Sequence, residues 1–371
     1  MTKRWLSGLF LTATLGAATA VHAEIKIGVI GPLTGPNAAI GAQLKNGAEQ
    51  AAEDLNEKGG MNGEKIVLVF GDDASQPAQG VSVANSFVGE GVKFVLGAYN
   101  TGVTMPSSEV LAENGILQVT PASTGVNVTE RKLWNIFRTC GRDDQQGGVA
   151  GKYVVEKLNG KKIAIVHDKS PYGKGLADET KKAMNAAGVT EVVYDGVNTG
   201  EKDFTALVSK IKNSGAEVIY WGGLYTEGGL IVRQLKDQNV NAVLMGGDGI
   251  AADEFAQVAG PGAEGTLMTF APDPRKRPEA KAALAKFDAR KYSPAGYTLY
   301  TYAALEIIAQ AATATKSLDP KVVAAEMHKG AAYKTVIGDI AFDAKGDITR
   351  PDYVMYTWTK GADGKITYTE Q

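Results

Sequence analysis

"VLGAYNTGVTMPSSEVL", residues 95–111, begins like the end of a buried strand and finishes like the start of a helix. Val95 and Leu96 close the apolar run "VKFVL", a glycine turn follows, and a helix is expected from about Met105. Tyr99, Asn100, Thr101 and Thr104 stand in the turn itself. Two readings of these residues compete. A threonine caps the helix, or the group holds a small molecule where unpaired N–H groups and the positive dipole end favour an anion.

The same unit recurs on both sides of this stretch. "EIKIGVIG" is followed by a Gly/Pro turn and an Ala/Glu/Gln-rich helix that stops at Gly59-Gly60. "KIVLVFGDD" precedes a helix near Gln79–Glu90, and "ILQVTPASTG" is a short strand with its loop. After "RTCGRDDQQGG" the alternation restarts. "KKIAIVHDKSPYGKG" leads to a helix near Leu176–Ala187, and "TEVVYDGV", "EVIYWGG" and "AVLMGGDG" are further strands. Strands that are almost continuously apolar and alternate with helices imply parallel sheets covered on both faces. Two such runs, broken near residue 140, predict two doubly wound lobes. Ligands of such sheets sit in the crevice beyond the carboxyl ends of the strands, which is where residues 99–101 fall.

The chain has 371 residues, 44% hydrophobic and 22% charged, with a formal net charge of −2. That length suits two domains, and the absence of a basic excess argues against nucleic acid as a partner. "MTKRWLSGLFLTATLGAATAVHA" carries Lys3 and Arg4, an apolar run and Val21-His22-Ala23, the pattern of a signal peptide cleaved after Ala23. No cysteine follows the apolar run, so lipid attachment there is not indicated. Cys140 is the single cysteine, which excludes an intramolecular disulfide. The mature chain is therefore expected to be exported and soluble, most simply periplasmic.

Other loops join the first. Ala122, Ser123 and Thr124 follow a strand in "VTPASTG", where Pro, Ser, Thr and Gly also favour a plain turn. Thr101 and Thr124 are placed to converge on one carboxylate. Asp248 lies between glycines in "LMGGDGIAADEF", either as a turn aspartate or as the partner of an ammonium. Tyr99, Tyr172 in "SPYGKG" and Tyr297 in "SPAGYTLY" are packing residues or walls of a cleft over an apolar body. Signatures of an enzyme are thin. His167 and His328 are far apart, and no G-x-S-x-G, H-E-x-x-H, paired-cysteine or Walker pattern occurs. Neither a cofactor nor a metal is expected.

With "GPLTGPNAAIG", "GAEQAAEDLNEKGGMNG", "GDDASQPAQGVSVAN", "GILQVTPAST", "AIVHDKSPYGKGLA", "GEKDFTALVSKIK" and "YTLYTYAAL", the chain resembles, over its whole mature length, the periplasmic binding proteins for leucine, isoleucine and valine. These are type I solute-binding proteins of branched-chain amino acid ABC importers. The resemblance implies an α/β fold of two Rossmann-like lobes with parallel-sheet cores, joined by a three-strand hinge. Crossovers are expected near 140–143, 270–273 and 350–353, giving a first lobe of 24–141 plus 273–351 and a second of 142–272 plus 352–371. A monomeric state, a small neutral amino acid ligand and the importer's membrane permease subunits as partners are expectations carried over in the same way.

By that resemblance, Thr101 and Thr124, with backbone near Ala122, hold the ligand carboxylate. Asp248 holds the ammonium. Tyr172, Ile40, Tyr99, Asn100 and Tyr297 match pocket or cleft positions. Three features depart from the family pattern. Ser75 and Asn100 stand where some relatives have a disulfide, Asp248 stands where glutamate is frequent, and Tyr99 and Ile40 replace a leucine and an aromatic. The extra ring and the shorter acid imply a shift toward alanine, proline, valine or γ-aminobutyrate. A ligand-sensing module of a receptor is the rival role for the same fold.

Overall fold

The computed structural model describes residues 23–350 and 353–371. The expected signal segment falls almost entirely outside them, and so do two residues of the expected third crossover. β1 (Glu24–Gly31), β2 (Lys65–Asp72), β3 (Phe94–Leu96), β4 (Leu117–Thr120) and β5 (Ile136–Arg138) form a parallel sheet in the order β2-β1-β3-β4-β5. β6 (Ile163–His167), β7 (Val193–Gly196), β8 (Val218–Gly222), β9 (Val243–Gly246) and β10 (Leu267–Phe270) form the parallel part of a second sheet. β3, β4, β5, β6 and β8 are buried at every residue, as strands covered on both faces must be.

After β10 the chain returns to the first sheet. Helix Gly296–Thr315 packs along helix Ala38–Glu57 and reaches β3 and β4. A small hairpin of β11 (Tyr333–Thr335) and β12 (Gly338–Ile340) follows. The chain then goes back to the second sheet, where β13 (Val354–Lys360) pairs antiparallel with β10, and β14 (Ile366–Glu370) with β13. Sequence reading assigned these last residues to the second lobe without resolving the hairpin.

Both sheets reverse their order beside their first strand. β2 and β3 flank β1, and β7 and β8 flank β6. Such a reversal opens a crevice at the carboxyl ends, because the connections on either side leave in opposite directions. Tyr99 follows β3, Tyr172 follows β6 and Leu224 follows β8, so the two crevices face one gap.

The expected helices are present but start earlier. Thr101–Glu113 begins four residues before Met105, with Pro106 inside it. Poor helix formers at Thr101, Gly102 and Thr104 concealed that first turn. The helix expected from Leu176 begins at Pro171, where proline suits the first turn and the Ser170 hydroxyl accepts the Gly173 N–H at 2.9 Å.

A buried ion pair ties the region where the chain passes between sheets. Arg138 at the end of β5, 0% exposed, donates from Nε to Asp347 Oδ1 at 2.6 Å, and Arg142 donates to Asp347 Oδ2 at 2.7 Å. Arg138 also caps the carbonyls of Ser123 and Gly125 at 2.9 and 3.0 Å. Gly141 lies against the ring of Tyr353, where a Cβ would come within 2.5 Å of the ring. Cys140 is a free, buried thiol.

Candidate functional site

A small cavity lies between the two lobes at the carboxyl ends of the strands. Tyr99, Asn100, Ala122 and Tyr297 line it from the first lobe. Tyr172, Leu224, Asp248 and Gly249 line it from the second.

Asp248 opens a short 3-10 turn directly after β9 and is 4% exposed. Its Oδ1 accepts the Tyr172 hydroxyl at 2.9 Å and its Oδ2 the Tyr297 hydroxyl at 3.0 Å. Tyr172 also accepts the Gly249 N–H at 2.8 Å. A side chain on Gly249 would bring a Cβ within 2.5 Å of the Gly223 carbonyl, so glycine is needed for this approach. No cation pairs with Asp248 among the described residues, and burial pushes its carboxyl up to about 6. A buried carboxylate held only by neutral groups, the two tyrosine hydroxyls and the Gln146 side chain, is short of positive charge.

The first-lobe loops are zipped together beside it. Thr104 and Ser123 share a buried hydroxyl–hydroxyl bond, and Ser123 donates to the carbonyls of Ala98 and Tyr99 at 3.2 and 3.1 Å. The Thr101 hydroxyl accepts the Gly125 N–H at 3.2 Å. The opening question thus gains a third answer. Asn100, not a threonine, is the N-cap residue, and it makes no side-chain cap bond. Thr101 and Thr104 join two loops, and the buried Asn100 Oδ1 is left without a partner beside the cavity.

Thr124 is fully buried and its hydroxyl has no partner. Facing it is Asp143, the first residue of helix Asp143–Lys157, whose N–H donates to the Thr124 carbonyl at 2.9 Å. Asp143 is 1% exposed, no Lys or Arg forms an ion pair with it among the described residues, and burial pushes it up to about 8.

Of the residues singled out in the sequence, Tyr99, Asn100, Ala122, Tyr172, Asp248 and Tyr297 meet at this cavity. Thr101 and Thr124 lie beside it, and Thr101 lines the neighbouring groove. Ile40 does not reach it. Ile40 is buried in helix Ala38–Glu57 within the hydrophobic core. Leu224 and Gly249 were missed, although the rule that found Asp248 applies to Leu224, which follows β8 across a double glycine. Asp143 was missed because nothing local separates it from an ordinary first-turn acid.

Tyr297 packs edge-on to Tyr99 and to Phe270, each at 5.6 Å between ring centres. The site is thus an aromatic enclosure with one acid, suited to a small molecule with a cationic head and an apolar body. Among the described residues no group of three or more His, Cys, Asp or Glu could hold a metal ion.

The family model described as "Periplasmic binding protein" matches residues 24–364. The chain is 53% identical over 371 residues to a Leu/Ile/Val-binding protein homolog 1 of Brucella melitensis, covering 100% of both. It is 47% identical over 352 residues to the Leu/Ile/Val-binding protein BraC3 of Rhizobium johnstonii, covering 95% of this chain and 96% of that one. Among solved structures, the leucine-binding protein LivK of Thermotoga maritima superposes with a TM-score of 0.86 at 26% identity, over 93% of this chain and 97% of that one. LivJ of Streptococcus pneumoniae, a branched-chain amino acid transporter substrate-binding protein in complex with isoleucine, gives 0.83 at 27%, over 94% and 100%. With two parallel sheets facing one cleft and a family match across nearly the whole length, the chain belongs to the periplasmic binding protein family.

Proposed function

We propose that this protein is the periplasmic substrate-binding component of an ABC importer for branched-chain or other neutral aliphatic amino acids. The observation that carries the reading is Asp248, a buried acid reached by tyrosine hydroxyls from both lobes and lacking a cation. An amino acid's ammonium supplies that missing charge, and its apolar side chain suits the aromatic wall. Thr101 and Thr124, with the amino end of helix Thr101–Glu113, receive the carboxylate. The relatives' names and the isoleucine complex of LivJ support the same ligand class.

The lobes are residues 24–141 with 273–351 and residues 142–272 with 352–371, and they close on the ligand as hinged bodies. Binding favours closure because only the closed form sets Asp248 against the first-lobe loops, and differential affinity is what shifts the population. Permease subunits read the closed form, and the ligand leaves unchanged, so no catalysis is involved. The protein works as a monomer, and its first 23 residues are removed on export. Mass spectrometry of protein recovered from the periplasm is expected to find Glu24 at the amino terminus.

Tyr99 favours a second reading within this role, a preference for small or ω-amino ligands such as alanine, proline, valine or γ-aminobutyrate, because its ring occupies part of the cavity. Calorimetry of the mature protein against the twenty amino acids, γ-aminobutyrate and benzoate tests both readings. Binding of neutral amino acids with intact ligand recovered supports the first, and a ranking led by the small ligands supports the second. Binding of benzoate alone overturns both.

A further inference from the structure

The cavity is not the end of the cleft. Asn100, Tyr172 and Leu224 also line a larger space, of about 320 Å³, between the lobes. Its first-lobe wall includes Asn37, Ser75 and Gln76, and its second-lobe wall Asp168, Ser170 and Thr199. All follow the carboxyl ends of strands, so the space continues the same crevice.

This outer space is rich in acceptors that lack donors. Asn37 is 6% exposed, donates from Nδ2 to the Ser75 hydroxyl at 2.9 Å, and leaves its Oδ1 unpartnered. Asn100 Oδ1 is likewise buried without a partner. Asp168 is 2% exposed, its carboxylate is held by the Ser170 N–H at 2.9 Å and by the Ser170 side chain, and no Lys or Arg pairs with it among the described residues. Burial pushes its carboxyl up to about 6. No Lys or Arg lines the space. Buried acceptors cost free energy when left unmade, and two such amide oxygens beside the Asp168 carboxylate, whose partners are uncharged, around one path from the cavity, form a receptor for N–H groups.

We infer that this outer space is a second subsite, taking the nitrogen-bearing end of an amino acid whose side chain threads past Asn100, Tyr172 and Leu224. The inference rests on the amino acid reading of the inner cavity. The class of ligand is an α-amino acid with a side chain of five to seven non-hydrogen atoms that ends in a carboxamide, ureido or guanidinium group. Asn37 and Asn100 accept from its N–H groups, and Asp168 adds a preference for positive charge. The protein then takes tailed polar amino acids besides compact aliphatic ones.

Calorimetry of the mature protein with L-valine, L-norleucine, L-citrulline and L-arginine tests this. Citrulline and arginine are expected to bind at least fivefold more tightly than norleucine, whose tail has no nitrogen. Asn37→Ala is expected to weaken both by about threefold or more, and Asp168→Asn to weaken arginine at least tenfold and citrulline less than threefold. Valine is expected to stay within twofold in both variants, and thermal melts check that each is folded. Should Asp168→Asn fail to fold, Asn37→Ala decides alone. Norleucine binding as tightly as citrulline and arginine overturns the subsite, as does equal loss of every ligand in the variants. Valine bound and tailed ligands refused overturns the subsite and leaves the inner site standing. No amino acid bound overturns both.

Discussion

Tyr297 and Asp248 meet across the gap between the lobes, hydroxyl to carboxylate oxygen at 3.0 Å, and Tyr172 grips the other oxygen of the same acid at 2.9 Å. The acid is therefore held in one orientation from both lobes when they are closed. A ligand ammonium has to add to this arrangement, or displace one hydroxyl, and in either case it meets a fixed charge.

Asp248→Ala is expected to weaken amino acid binding at least thirtyfold, because losing one partner of a buried charge pair costs about 2–5 kcal/mol. Calorimetry reads the loss, and circular dichroism is expected to show an intact fold. Affinity within threefold of the parent protein would remove Asp248 from the site.

Tyr99→Leu is expected to change the order of ligands rather than the ability to bind. The ring stands edge-on to Tyr297, and its removal enlarges the apolar part of the cavity. Leucine is expected to gain on alanine by roughly tenfold, within the ~1–3 kcal/mol that a methylene-sized change supplies. A competition series in a thermal-shift format measures the order, and an unchanged order counts against the size argument.

Ligand-free stability is expected to fall as pH rises from 5 to 8. Burial raises Asp248 to about 6, Asp73 to about 7 and Asp143 to about 8. An acid with a raised native value holds its proton more tightly when folded, so its contribution is present at low pH and is lost as pH climbs through the native value. Melting points at pH 5, 6, 7 and 8 show the slope, and Asp143→Asn is expected to flatten its upper part and raise the pH 8 midpoint by ~2 °C or more. Ligand affinity runs the other way. It is expected to drop below about pH 6, where Asp248 takes up a proton and loses its charge.

Tyr225→Phe probes closure. The Tyr225 hydroxyl, just after β8, donates to the Pro36 carbonyl in the loop after β1 at 2.6 Å, which links the lobes at the rim. Its removal is expected to weaken every ligand by about threefold to tenfold, the net worth of one hydrogen bond. Scattering in saturating ligand is expected to find more of the open form.

Asp347→Ala tests the buried ion pair where the chain passes between sheets. It strands Arg138 without its buried partner, and such a loss costs about 3–5 kcal/mol. Urea unfolding is expected to show a midpoint well below that of the parent protein.

The strands were legible because parallel strands buried on both faces read as plain apolar runs, as "KIAIV" and "VIYW" do. The first turn of helix Thr101–Glu113 was not, since threonine and glycine are weak helix formers, and its true cap is Asn100. Asp248 was legible from its place after a strand between glycines. Asp143 and Asp168 were not, because what marks them is burial without an ion pair among the described residues, which depends on elements distant in sequence.

The walls of the cleft come from turns, while the sheets beneath supply only the mounting. Tyr99, Tyr172, Leu224 and Asp248 each stand one to five residues past a strand whose own side chains lie in the interior. Exchanging such a residue re-letters the binding surface without repacking the framework. A lineage carrying duplicate copies of this gene therefore has a short mutational route to new nutrients.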